Sequence, residues 1–129
     1  MHFADTNIVV YAFGTDAKSE TALSALDGAI VSVQVLNEFS NVCLRKLHYD
    51  EATLGGLIAD IRDKVTKVVA LTKDTHDLAR KIVFRYKLNF YDSVLIASAL
   101  LAECVTLYSE DMQHGLIIED RLTIINPFV

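Results

Sequence analysis

The sequence predicts one α/β domain in which helices cover both faces of a central parallel sheet of four to five strands, a three-layer α/β/α arrangement. Short, nearly continuous apolar runs alternate with longer segments of helical periodicity, and apolar strands of this kind are typical of a parallel sheet buried on both faces. The length of 129 residues suits a single compact domain. No repeat, linker or low-complexity tract divides the chain, so we predict one domain over residues 1–129.

The individual elements follow in order along the chain. Runs of β-branched and other apolar residues predict five strands, which are His2–Ala4, Ala29–Val31, Val68–Leu71, Cys104–Tyr108 and Leu122–Ile125. Apolar residues at helical spacing predict five helices, which are Ala17–Leu26, Val33–Leu47, Glu51–Lys64, Asp74–Tyr86 and Phe90–Ala102. Ligands of such sheets bind outside the carboxyl ends of the strands, so we expect the chemistry there.

Composition argues against several classes of protein. The apolar fraction of 52% is slightly above that of soluble domains, and the surplus predicts a subunit interface. No apolar run approaches a membrane span, and the first residues lack the basic segment of a signal peptide, so we expect a cytoplasmic protein without a membrane partner. Cys43 and Cys104 lie in apolar patterns that predict buried thiols, and the scattered histidines argue against structural zinc.

Charge is distributed unevenly along the chain. The net charge of −5 argues against nonspecific coating of nucleic acid. Residues 45–87 contain ten basic and six acidic residues, a balance of +4, whereas the rest contains two basic and eleven acidic residues, a balance of −9. Either the middle helices have solvated basic faces, or they form a rim that holds phosphates beside an acidic pocket. For the second interpretation Arg80, Lys81 and Arg85 are the candidate contacts.

Two acids follow predicted strands. Asp5 comes directly after the first strand and Asp111 follows the fourth, so both belong at the carboxyl edge of the sheet. Glu110 is an alternative to Asp111, because a shift of one residue turns a side chain away. Taken singly, Asp5 is also explained as a cap or turn residue, and Asp111 or Glu110 as an ordinary loop acid.

Two further acids belong to predicted helices. Glu38 falls at the shoulder of the apolar stripe of Val33–Leu47, where it is either a boundary residue or reaches into the crevice. Asp92 opens Phe90–Ala102, which is apolar nearly all round and therefore predicted to be buried. A carboxylate there is unfavourable unless it is paired, although an acid three residues after Asn89 also suits the helix dipole. We favour a metal-ligand role for Asp92.

Taken together, the four carboxylates predict one crevice that binds a metal ion. Clustered carboxylates repel one another, and some stay protonated unless a cation neutralises them. Oxygen ligands without Cys or His favour Mg²⁺, with Mn²⁺ as a possible substitute. Such a site suits phosphodiester hydrolysis, because the metal lowers the pKa of the attacking water and stabilises the attacking and leaving oxygens.

These acids stand in motifs that resemble those of the PIN-domain family, in the same order and over the whole chain. The matching segments are Asp5-Thr6-Asn7, Val35–Phe39 around Glu38, Tyr91–Ala97 around Asp92, Tyr108–Gly115 and Ile125–Phe128. The last two resemble the VapC branch in particular. The resemblance implies a PIN-like α/β/α fold. It also implies a catalytic and metal-binding quartet of Asp5, Glu38, Asp92 and Asp111, and Ser109, Asn7 and Thr6 stand beside these acids as supporting residues.

The resemblance further implies the toxin of a prokaryotic type II toxin–antitoxin pair, a Mg²⁺-dependent endoribonuclease that cleaves structured or translation-related RNA. It implies a homodimer, a cognate antitoxin whose C-terminal segment covers the active site, and hetero-oligomers of the two. Arg80, Lys81 and Arg85 are then candidate RNA contacts. His114 is better explained as a loop residue beside Gly115, which supplies a turn.

Three rival functions fit the sequence less well. A catalytically silent PIN scaffold that acts as a binding module is the main alternative, and the intact quartet argues against it. A phosphoryl-accepting receiver domain needs adjacent acids after the first strand and a Lys after the last, whereas Asp5 stands alone and Asn126-Pro127 follows the last strand. A haloacid-dehalogenase-type phosphatase needs an acid two residues after the first, where this chain has Asn7.

Overall fold

The computed structural model describes every residue from Met1 to Val129. Its six strands are β1 His2–Ala4, β2 Ile30–Ser32, β3 Lys67–Val69, β4 Thr106–Tyr108, β5 Ile117–Ile118 and β6 Leu122–Ile125. Its six helices are α1 Thr6–Ala12, α2 Ser19–Leu26, α3 Val33–Lys46, α4 Glu51–Lys64, α5 Lys73–Tyr86 and α6 Phe90–Leu101. The five predicted strands and five predicted helices are all present, with ends shifted by one to two residues in most cases.

The strands form one sheet in the order β3-β2-β1-β4-β6-β5. Every neighbouring pair is parallel except β5 with β6, which is antiparallel. The predicted parallel sheet is therefore confirmed, with the two-residue strand β5 as an addition at one edge. The sequence did not indicate β5, because the residues that lead into β6 lack the Asn-Gly or Asp-Gly signal of a tight hairpin. Glu119 and Asp120 adopt the left-handed conformation there instead, with φ of 53° and 55°.

The helices form a layer on each face of the sheet. Parallel strands are joined by right-handed crossovers, so α1 to α4, which connect β1 to β2 and β2 to β3, lie opposite α5 and α6, which return from β3 to β4. Within these layers α1 packs against α2 and α3, and α5 packs against α6. Eight consecutive residues of α6, Ser93–Leu100, are buried, which confirms its predicted central position.

The helix α1 was not predicted from the sequence. Its residues include the β-branched run Ile8-Val9-Val10, which has low helix propensity. In the structure Ile8, Val9 and Ala12 are buried, so tertiary packing outweighs the local preference. Asp5 caps this helix, because its carboxylate accepts a hydrogen bond from the backbone N–H of Thr6 at 2.6 Å.

Strand order also determines where a crevice forms. From β1 the chain moves to β2 on one side, whereas from β4 it moves to β6 on the other side. The adjacent carboxyl ends of β1 and β4 therefore mark the point at which ligands bind in sheets of this type. Asp5 directly follows β1 and Ser109 directly follows β4. None of the six helices combines the length and apolar character needed to span a membrane.

Candidate active site

A cleft of about 430 Å³ opens where β1 and β4 end, and all four predicted acids line it. Asp5 comes from the end of β1, Glu38 from α3, Asp92 from the first turn of α6 and Asp111 from the loop after β4. Thr6, Asn7 and Glu110 also line the cleft. The structure thus brings together carboxylates that are up to 106 positions apart in the sequence.

Asp5 is the buried carboxylate of the cleft, with only 5% of its surface exposed. Besides the Thr6 N–H, it accepts hydrogen bonds from the Ser109 hydroxyl at 2.8 Å and from the Asn7 amide at 3.4 Å. Burial raises the pKa of Asp5 from 3.8 to about 6, and repulsion by Glu38 and Asp92 adds to this, although the Ser109 and Thr6 hydrogen bonds oppose it. The environment of Asp5 therefore disfavours the ionised form of its carboxyl group.

Glu38 is oriented by a side chain from the first turn of α1. The Thr6 hydroxyl donates a hydrogen bond to Glu38 Oε1 at 2.7 Å. Because Thr6 also donates its backbone N–H to Asp5, one residue contacts two of the four acids. Glu38 is half-buried, so the shoulder position predicted from the helical pattern is the one that faces the cleft.

Asp92 belongs to a helix cap and also lines the cleft. Its backbone N–H donates to the Asn89 side chain at 2.8 Å, and the Asn89 amide donates back to Asp92 Oδ2 at 2.8 Å, so it does belong to the helix cap. Its side chain also lines the cleft. Partial burial raises the pKa of Asp92, and repulsion by Asp111 adds to the rise while the Asn89 hydrogen bond opposes it.

The expectation that Asp92 would be buried was wrong in degree. The residue is half-buried, and full burial along α6 starts only at Ser93. Phe90 and Tyr91, which precede it, are exposed by 37% and 62%. The carboxylate consequently faces the open cleft and not the protein interior.

Asp111 and Glu110 differ in what they contact. Asp111 is exposed, and its Oδ2 accepts one hydrogen bond from the Asn7 amide at 3.1 Å. Glu110 accepts a hydrogen bond from the Tyr11 hydroxyl at 2.7 Å and forms an ion pair with Lys18. Lys18 and Tyr11 together lower the pKa of Glu110. Glu110 is therefore paired with protein groups, whereas Asp111 has no cationic partner in the protein.

Ser109 and Asn7 connect the ends of the two central strands. The fully buried Ser109 hydroxyl donates to Asp5 and accepts from the backbone N–H groups of Asp111 and Met112 at 3.3 and 3.4 Å. The Asn7 side chain donates to Asp5 and Asp111, and it accepts from the Glu110 N–H at 3.3 Å. Ser109, Asn7 and Thr6, which were predicted as supporting residues, all contact the acids.

The acids of the cleft offer a single kind of donor atom, and their side chains are not drawn together. The acids offer only oxygen atoms, the donors that Mg²⁺ and Mn²⁺ prefer. No three His, Cys, Asp or Glu side chains stand close enough to form a ready metal cage. Like charges repel one another, and the carboxylates are instead held by Thr6, Asn7, Ser109 and Asn89.

The predicted RNA contacts lie outside the cleft. Arg80, Lys81 and Arg85 surround the 84% exposed Phe84 on α5. Arg80 is bonded to Asp77 and Arg85 to Glu119, so part of their charge is neutralised. Their role in RNA binding stays a prediction. The His114 ring accepts a hydrogen bond from the Asn126 N–H at 2.9 Å, in agreement with a structural role in its loop.

Sequence reasoning missed three polar residues that line the cleft, namely Tyr11, Lys46 and Tyr91. Lys46 lies eight positions after Glu38 on the same helix, and Tyr91 directly precedes Asp92. Helical spacing could therefore have indicated Lys46, and adjacency could have indicated Tyr91. Tyr11 gave no such signal, because its bond to Glu110 joins residues 99 positions apart.

Comparisons with known proteins identify the family. The family model of the PIN domain matches residues 3–115. A chain of a toxin–antitoxin complex from Klebsiella pneumoniae superposes with a TM-score of 0.73 at 20% identity, and 98% of each chain is covered. The sarcin–ricin loop cleaving toxin VapC20 of Mycobacterium tuberculosis gives 0.68 at 21% identity, covering 86% of this chain and 90% of that one.

VapBC2 from Rickettsia felis, solved with a DNA fragment from its promoter, gives a TM-score of 0.67 at 16% identity, covering 95% of this chain and 96% of that one. At such identities these likenesses concern the fold. No curated protein sequence matches significantly. The family model covers most of the chain, and the fold and the cleft agree with it. The chain belongs to the PIN domain family.

Proposed function

We propose that the protein is a metal-dependent endoribonuclease and the toxin of a type II toxin–antitoxin pair. The observation that carries this proposal is the convergence of Asp5, Glu38, Asp92 and Asp111 on one cleft at the switch point of the sheet. Membership of the PIN family supports it. Three similarly folded structures come from a toxin–antitoxin complex, a sarcin–ricin loop cleaving toxin and a VapBC protein, which supports the toxin role.

The residues of the cleft fit Mg²⁺, with Mn²⁺ as a substitute. Asp5 and Asp92 are the first ligands, because burial raises the pKa of each carboxyl group and neither has a cationic partner in the protein. A divalent cation would relieve that unfavourable charge. Glu38 and Asp111 complete an oxygen-only set. When bound, the ion acts as a Lewis acid that lowers the pKa of an attacking water and stabilises charge on the leaving oxygen.

The remaining polar residues orient the carboxylates. Thr6 fixes Glu38, Asn89 fixes Asp92, and Ser109 fixes Asp5, each through a hydrogen bond of 2.7 or 2.8 Å. Asn7 spans Asp5 and Asp111. Because catalytic groups must be held close to their productive geometry, these contacts supply the preorganisation that the reaction needs.

The same proposal includes the partners and the setting. RNA is the substrate, and a cognate antitoxin in a prokaryotic cytoplasm inhibits cleavage by covering the cleft. Large apolar side chains stay exposed on several elements, including Leu44, Leu47, Phe84, Leu101 and Val105. These side chains are available for contacts within a homodimer and within toxin–antitoxin hetero-oligomers.

The proposal is tested by RNA cleavage with the purified protein. We expect cleavage with Mg²⁺ or Mn²⁺ and none in EDTA. Asp92→Asn should lower the rate by about a hundred-fold or more, the usual effect of removing one catalytic interaction. Asp74→Asn is the matched control, because Asp74 is also an acid in the first turn of a helix but lies on α5 outside the cleft.

Two results would contradict the proposal. Cleavage that persists in EDTA would exclude the metal, and full activity of Asp92→Asn would exclude the carboxylate cleft as the catalytic site. Circular dichroism must show that both variants are folded. An inactive wild-type protein that still binds an antitoxin would support the alternative of a silent PIN scaffold.

A further inference from the structure

The cleft has two features that the four acids do not explain. Lys46 and Tyr91 line it together with the acids, and neither side chain forms a hydrogen bond or ion pair with a carboxylate. Lys46 forms no ion pair with any acid of the protein. Tyr91 is 62% exposed. An unpaired cation and an exposed aromatic ring beside a reactive centre indicate contacts made with a ligand.

Lys46 is the only basic residue that lines the cleft, whereas five of the lining residues are acidic. A polyanion that approaches these acids is repelled except where a cation or a metal ion holds its phosphates. Lys46 shares one face of α3 with Glu38 and Val42, at a spacing of four residues, and all three line the cleft. The Cα atoms of Glu38 and Lys46 are therefore about 12 Å apart along the helix.

The side chain of Lys46 extends back toward Glu38, because side chains on a helix point toward its N-terminus. Its ammonium group can therefore reach a phosphate that lies between the Lys46 Cα atom and the acids. A phosphate at that place neighbours the one held among the carboxylates. Lys46 is thus positioned for a flanking phosphate and not for the phosphate that is cleaved.

Tyr91 is braced in an exposed orientation. The Phe90 ring packs edge-on against it, with ring centroids 5.4 Å apart and an angle of 77° between the planes. The Tyr91 ring belongs to no part of the buried core, and its hydroxyl has no hydrogen-bond partner in the protein. An exposed ring of this kind beside a phosphate site is a stacking platform for a nucleobase.

We propose that Lys46 and Tyr91 hold an unpaired nucleotide next to the scissile phosphate, with its base stacked on the Tyr91 ring and its phosphate bound by the Lys46 ammonium. This inference rests on the proposed ribonuclease function and adds to it. A base can stack on Tyr91 only when it is not paired within a duplex. The two residues therefore position the RNA strand and select against duplex at the cleavage point.

The test measures affinity and cleavage separately. Affinity is measured by fluorescence anisotropy with a labelled oligouridylate and with a labelled RNA duplex, in an Asp92→Asn background that prevents cleavage. Lys46→Gln should weaken oligouridylate binding by about ten-fold and lower the slope of affinity against salt concentration by about one. Arg45→Gln is the matched control, because Arg45 lies in the same last turn of α3 and does not line the cleft.

The aromatic contact has its own pair of variants. Tyr91→Leu should weaken oligouridylate binding by about ten-fold, the loss of one stacked base, whereas Tyr91→Phe keeps the ring and should bind normally. Duplex binding should not respond to either variant of Tyr91. In the active background, Lys46→Gln and Tyr91→Leu should raise KM with little change in kcat.

Several outcomes would overturn the inference. If Lys46→Gln and Arg45→Gln weaken binding equally, the lysine acts only through net charge. If Tyr91→Leu binds oligouridylate like the wild type, the ring serves another contact, such as one with a protein partner. If the wild type cleaves RNA and its Lys46→Gln and Tyr91→Leu variants have normal KM values, only this inference is rejected and not the proposed function. A wild-type protein that neither binds nor cleaves RNA would reject the proposed function as well.

Discussion

Replacing Asp5 by Asn should stabilise the folded protein at neutral pH, although it removes a carboxylate of the proposed catalytic cleft. Asp5 is 5% exposed, and the protein supplies no cation to compensate its charge. Its pKa rises from 3.8 to about 6 on folding, chiefly because of burial. The charged form is therefore less stable in the folded protein than in the unfolded chain.

The magnitude follows from the shift in pKa. About two units correspond to about 3 kcal/mol of lost stability once Asp5 is ionised in both states. Because the folded pKa is the higher one, the folded state is favoured below the unfolded value of 3.8, and this contribution is lost as the pH rises through about 6. Between about pH 4.5 and about pH 7.5 the loss amounts to about 2 kcal/mol.

Changes in hydrogen bonding reduce the stability that Asp5→Asn gains. Their cost does not depend on pH in this range. The Asn carbonyl can still accept from the Thr6 N–H. Its amide, however, would face the Ser109 hydroxyl, which already accepts from two backbone N–H groups. That mismatch costs about 1 kcal/mol. We therefore expect Asp5→Asn to gain about 2 kcal/mol over the wild type at neutral pH.

The measurement is urea unfolding in EDTA at about pH 4.5 and about pH 7.5. The advantage of Asp5→Asn over the wild type should grow by about 2 kcal/mol between the two pH values. Asp60→Asn, which alters an exposed acid on α4, should show no such change. An advantage of the same size at both pH values would refute the electrostatic reasoning.

Two further predictions concern the same carboxylate. In a thermal-shift assay, Mg²⁺ should raise the thermal midpoint of the wild type and leave that of Asp5→Asn nearly unchanged, because ligands stabilise the state that binds them. Na⁺ of equal ionic strength is the control, and equal shifts in the two proteins would contradict Asp5 as a ligand. Ser109→Ala should move the acid limb of the pH–rate profile to higher pH, because it removes the hydrogen bond that lowers the pKa of Asp5. Ser109→Thr retains a hydroxyl and should keep the wild-type profile. An unchanged profile in Ser109→Ala would show that this hydrogen bond does not affect catalysis.

Most of the fold could be predicted from the sequence, because continuous apolar strands and amphipathic helices leave clear periodic patterns. The elements that escaped prediction are those without such a pattern. α1 consists largely of residues with low helix propensity and exists through burial of Ile8 and Val9. β5 has two residues, and its pairing depends on a turn with two residues in the left-handed conformation.

The acids of the site could be predicted because they follow strand ends or lie at a fixed place on a helix. Which of Glu110 and Asp111 is paired with a cation of the protein could not be predicted, since it depends on which neighbours reach them. Tyr11 and Lys18 engage Glu110 from 99 and 92 positions away, and Asn7 contacts Asp111 from 104 positions away. Contacts over such separations arise only once the strands are arranged in the sheet.

The pairing of Lys18 with Glu110 depends on the far end of the chain. The Lys18 ammonium lies 4.9 Å from the centre of the Tyr11 ring and 5.2 Å from that of Phe128, and the two rings pack edge to face at 5.3 Å. Both rings attract the ammonium group and help to hold it beside the Glu110 carboxylate. The penultimate residue of the sequence thereby helps to set how much negative charge the cleft offers to an arriving cation or phosphate.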